Sequence, residues 1–223
     1  MTREEFIISC WNYYLYLEED FIKLTRYISI HSNNYKAFSD EIHKQLLSVA
    51  MEFENINKKI SKELGNELDE RCNIIGFGKW LFNSTINYKD IIIEIKFSKE
   101  NLILNPFKKE EFEEKDGKKT EQMPWWRAYN KIKHNRYESY FDVNFEHLLN
   151  ALAALLYCEM YLVREIGRKT KDMDVPNSYS EIFEVKDWQT KHKLVKKGDS
   201  YATNEEIEEL LEDCKKKYFL NKC

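Results

Sequence analysis

Residues 145–163, FEHLLNALAALLYCEMYLV, constrain the fold more than any other stretch. Wound as a helix at about 100° per residue, Leu148, Ala151, Leu152, Leu155, Leu156 and Leu162 leave it apolar over much of its circumference. A helix so covered has to be enclosed by other elements. Small Ala151, Ala153 and Ala154 let a neighbour approach closely, while Glu146, His147, Asn150 and Glu159 make the stretch too polar for a membrane span. Asp142 or Asn144 is placed to cap its start and Gly167 to end it.

Partners for such a helix are legible upstream. Thr2-Arg3-Glu4-Glu5 is a capping box, and Phe6, Cys10, Tyr13, Leu17, Phe21 and Leu24 predict a helix to about Tyr27. Ser39 caps a second helix reaching Gly65, with Leu46, Val49, Phe53, Ile56 and Ile60 as its stripe. Residues 66–83, broken by Gly76 and Gly78, suggest a third helix or a helix and turn. The β-branched run 91–97 predicts a strand, turned at Ser98–Glu100 and returning over 101–104. Residues 107–123 are so densely charged that a mobile surface loop is expected. Residues 169–180 read as an exposed connection, with Pro176 ending regular structure, and Thr203–Glu206 as a second capping box opening a terminal helix.

Only 6 Gly and 3 Pro among 223 residues favour long helices. The expected fold is therefore mainly α, an up-and-down helical bundle over 1–167. A small hairpin and charged loop are inserted at about 88–123, and 168–223 form an extension on the same domain. A net charge of −4 provides no bulk attraction for nucleic acid, although 35 basic residues could segregate on one face. The five cysteines are odd in number and show no metal-site spacing, which fits reduced thiols in a cytoplasmic protein. No signal-type leader is read at the start, and no metal or cofactor is expected.

Chemistry concentrates in residues 124–140, PWWRAYNKIKHNRYESY. Pro124 suits a helix start. At helical phase Arg127, Asn130, Lys131, His134 and Glu138 share roughly a third of the circumference. Trp125, Trp126, Tyr129, Lys133 and Tyr137 fall opposite, an aromatic face able to anchor the helix. Histidine titrates near neutrality and can move a proton; arginine can hold a phosphate and its developing charge. Asn130 could position substrate or imidazole, and Glu138 could orient His134. Lys131, Lys133 and Arg136 are candidate phosphate contacts. His147, on the neighbouring apolar helix, fits a core histidine better than a site residue. One strip supplies one histidine, so a two-fold dimer facing two strips together would supply both base and acid.

The segment Arg127–His134 resembles the R-x(4–6)-H signature of the HEPN superfamily, with six intervening residues. Residues 124–161 are also similar to the core of bacterial HEPN-like proteins. The resemblance implies a helical bundle and metal-independent endoribonuclease activity. Arg127 and His134 would be the catalytic pair across a homodimer, in phage defence, abortive infection or a toxin–antitoxin system with a neutralising protein partner. Ala128 stands where such nucleases usually carry a polar residue after the arginine. That departure leaves open a non-catalytic module binding nucleotide, RNA or a partner protein, or a helical scaffold.

Overall fold

The computed structural model describes residues 1–65, 88–96, 100–113 and 117–220, with the backbone alone at 89 and 214–220. The possible third helix at 66–83 lies outside the described residues. From the capping box at Thr2, α1 (Arg3–Phe6) passes through one π-helical stretch, Ile7–Trp11, into α2 (Asn12–Thr25). A π turn inserts an extra residue and shifts the helical phase. Hence Tyr14, rather than the expected Tyr13, enters the core with Cys10 and Trp11. α3 (Asp40–Glu63) starts on the Ser39 hydroxyl, which accepts from the Ile42 N–H, and buries the expected stripe. Gly65 just beyond it takes φ +78°, the left-handed conformation that favours glycine.

α4 (Pro124–His134) and α5 (Phe145–Thr170) complete the main helical body, and α5 is enclosed as expected, every residue from Ala151 to Val163 being buried. Asn144 caps α5 by accepting from the His147 N–H. Gly167 does not end this helix. A Cβ there would lie 2.7 Å from both the Asp174 Cα and the Met173 carbonyl, so glycine serves close approach of the following loop. The terminal helix α6 (Asn204–Leu220) opens at the capping box read from sequence: Thr203 accepts from the Glu206 N–H and Glu206 from the Thr203 N–H.

The expected mainly α bundle with one hairpin is corrected by three small antiparallel sheets among the described residues, which make this a mixed α/β fold. In the first, β1 (Ile93–Ile95) lies between β2 (Ile103–Leu104) and β5 (Phe183–Val185). The register sets Ile93 against Leu104 on one side and Val185 on the other. The antiparallel pairing of β1 with β2 matches the sequence reading, while residues 98 and 99 of the expected turn lie outside the described residues. The sheet's third strand comes from the C-terminal extension, about ninety residues away, beyond the reach of any local pattern.

The charged stretch 107–123 is not a loop. β3 (Glu110–Glu113) and β4 (Lys119–Gln122) pair antiparallel, with Gly117 between them in the left-handed conformation at φ +78°, which favours glycine where the chain reverses. A third ribbon joins β6 (Leu194–Lys197) to β7 (Ser200–Thr203).

Residues 174–180 are not an exposed connection either. Arg3 donates to the Val175 and Pro176 carbonyls at 2.8 and 3.0 Å, and the Trp11 indole N–H donates to Ser178 at 3.0 Å. Buried Glu18 accepts from Tyr14 at 2.8 Å, from the Glu181 N–H at 2.9 Å and from the Ser180 hydroxyl. Among the described residues no helix is long and apolar enough to cross a membrane.

Candidate functional site

α4 is pinned by its aromatic face. Trp125, Trp126, Ala128, Tyr129 and Ile132 are buried. Phe53 of α3 meets Trp125 edge-on at 5.0 Å and Trp126 at 5.7 Å, and the Trp125 indole donates to the Pro106 carbonyl at 2.7 Å. At the other edge, Glu54 accepts from Tyr129 at 3.0 Å and from Lys133 at 3.3 Å. Burial by itself would lower the Lys133 amine, but its bonding to Tyr129 and Glu54 outweighs that and holds the charge.

The opposite side carries Arg127, Asn130 and Lys131, each half-buried, and exposed His134. These four share a face, as their spacing predicts. Arg127 and His134 stand seven positions apart, about 10 Å along the axis. The Arg127 guanidinium lies over the Phe112 ring of β3 at 4.5 Å, so the hairpin restrains it. The Asn130 side-chain oxygen is buried without a hydrogen-bond partner. Among the described residues none pairs with the His134 ring, which is open to a ligand.

Glu138 is not on this face. The helix ends at His134, and Asn135 leaves helical geometry at φ −149°, ψ 78°. Its side-chain oxygen then accepts from the Glu138 N–H, a local alternative to another helical turn. The carboxylate of Glu138 therefore does not orient His134. Tyr137, assigned to the anchoring face, is 93% exposed for the same reason.

Each proposed phosphate contact is already on a carboxylate. Lys131 meets Asp142 at 2.8 Å, Lys133 meets Glu54 at 3.3 Å and Arg136 meets Asp40 at 2.7 Å. Lys131 ties the segment after α4 to the helix, and Arg136 holds it to the start of α3. Buried His43 stands edge-on to Tyr140 at 4.7 Å beneath it, its basicity lowered by burial and then by Arg136. Phe38 and Phe141, edge-on at 5.2 Å, and Tyr137 are exposed aromatic rings.

A feature the sequence reading missed lies at the other end of α4. A cleft of about 430 Å³ opens where Pro124 and Trp125 meet the start of α5, and its walls include Asn105, Phe112, His147 and Asn150. It is assembled from four separate segments, so no local signal marks it. Burial lowers the pKa of His147 to about 4, leaving the imidazole neutral at neutral pH. Among the described residues no cluster of three His, Cys, Asp or Glu side chains is arranged to hold a metal ion. No family model, curated protein or solved structure matches the chain.

Proposed function

We propose that this protein is a metal-independent endoribonuclease of HEPN type, acting as a homodimer through the polar face of α4. The carrying observation is that Arg127, Asn130 and His134 share one side of a helix whose other side is locked into the core. The sequence resemblance at Arg127–His134 supports the same reading. In a two-fold pairing centred near His134, the two imidazoles meet across the interface with an Arg127 flanking each. The exposed rings of Phe38, Tyr137 and Phe141 are apolar area that a partner protomer could cover. One His134 takes the 2′-hydroxyl proton, and the 2′-oxygen attacks the phosphorus held by Arg127. The partner's His134 returns a proton to the departing 5′-oxygen. Products carry a 2′,3′-cyclic phosphate and a 5′-hydroxyl. A setting in phage defence or toxin–antitoxin control, with a regulatory protein partner, goes with this proposal.

The test is cleavage of a mixed RNA pool in EDTA by wild type beside His134→Ala. His134 is exposed, so the variant keeps its stability within about 0.5 kcal/mol. Loss of cleavage in the variant is expected; equal cleavage by both removes His134 from the chemistry. A second reading, a non-catalytic module binding RNA or nucleotide, is favoured by Ala128. It is buried at 3% exposure, so the position after Arg127 faces the core and presents nothing to a substrate. RNA binding by a wild type that never cleaves would establish that reading instead.

A further inference from the structure

We infer that the cleft at the N-terminal end of α4 holds one nucleotide of single-stranded RNA beside the phosphate at Arg127. This assignment rests on the ribonuclease reading above. The cleft's volume of about 430 Å³ falls within the range of small-ligand pockets. Its walls and Arg127 share a side chain: Phe112 lines the cleft and carries the guanidinium at 4.5 Å. Pro124 at the cleft and His134 at the far end of α4 stand about 15 Å apart along the axis. An RNA strand following α4 past His134 and Arg127 thus runs into this opening.

The lining chemistry fits a nucleotide. Asn105 and Asn150 offer side-chain amides, Asn150 giving one N–H to the Glu146 carbonyl at 2.9 Å and keeping its other N–H and its oxygen, and Glu110 offers an acceptor for an exocyclic amine. His147 is neutral there, suited to hydrogen bonding rather than to charge. Glu146 is engaged with Lys36 at 3.3 Å, whereas no described residue pairs with Lys108. The first turn of α4 has neither a capping side chain nor an acidic residue, so its positive end favours an anion. Lys108 and that helix end are placed for the phosphate, and the amides for the base.

The probe is a fluorescein-labelled 2′-O-methyl oligonucleotide of mixed sequence, which lacks the attacking hydroxyl. Its binding is followed by anisotropy over a range of salt for wild type, Asn150→Leu and Lys108→Gln. Asn150→Leu should weaken binding about three- to tenfold, the worth of one hydrogen bond. Lys108→Gln should reduce the slope of log K against log salt by about 0.7, one phosphate contact to a single strand. If wild type binds and both cleft variants match it in affinity and slope, the cleft assignment is overturned while the nuclease reading stands. If wild type neither binds this probe nor cleaves RNA, both fall together.

Discussion

Replacing Glu159 with methionine should stabilise the protein by about 1–3 kcal/mol at neutral pH, the cost of an unsatisfied buried polar group. Glu159 lies in the middle of α5 at 0% exposure, and neither carboxyl oxygen has a hydrogen-bond partner. Burial first, and then the charge of Glu52, raise its pKa well above the ordinary carboxylate value; Lys59 offsets only part of this. Methionine keeps the length and flexibility of the side chain without its oxygens.

The sign with pH follows from linkage. The folded state binds this proton more tightly than the unfolded chain, whose glutamate titrates near about 4.3. Above that pH unfolding releases the proton, so wild-type stability falls by up to about 1.4 kcal/mol per pH unit. The variant loses that slope. Urea unfolding of both proteins at pH 5 and pH 8 should show a larger gain at pH 8. Subtracting wild type from variant cancels groups distant from Glu159; Glu52, itself raised by burial, is the neighbour whose titration Glu159→Met also eases. In thermal melts each kcal/mol corresponds to about 2–4 °C for a chain of this size. A variant less stable than wild type, or a gain equal at both pH values, would refute the argument.

Glu18 presents the opposite case, because its carboxylate accepts from Tyr14, Ser180 and the Glu181 N–H. Glu18→Ala orphans these donors and should cost about 3 kcal/mol or more in urea unfolding, with Glu18→Gln losing less. Gly167→Ala should destabilise by about 1–3 kcal/mol through its clash with Met173 and Asp174. Hydrogen exchange should rise first in residues 173–192, where Asp174 accepts from the Lys191 and His192 N–H groups. Phe112→Ala removes the ring under Arg127 and should lower RNA cleavage several-fold. Stability, judged by the midpoint of urea unfolding, should change by about 1 kcal/mol or less. Unaltered cleavage would show that the hairpin does not position Arg127.

Helix starts were legible because they depend on chemistry within four residues. Thr2, Ser39, Asn144 and Thr203 each accept from a nearby backbone N–H that a helix leaves unpaired. The buried face of α4 and the enclosure of α5 were legible for a related reason, since apolar periodicity is a property of one segment. The face shared by Arg127, Asn130 and His134 belongs to the same class. Where Asn135 competed locally for the backbone, periodicity carried the helix too far and misplaced Glu138 and Tyr137.

The remaining features depend on residues distant in the chain. β5 joins β1 from the C-terminal extension, and 174–180 are buried because Arg3, Trp11 and Glu18 supply partners for their polar groups. Phe112 meets Arg127, and the cleft forms, only when the β2–β3 stretch, two helix starts and the Tyr35–Lys36 segment converge. Sequence alone determined which segments are helical at their starts and which side of each must be covered, because those choices are made by neighbouring atoms. Tertiary structure decided what covers them, which charges are neutralised and where a ligand can enter, because those outcomes depend on long-range packing that no local pattern encodes.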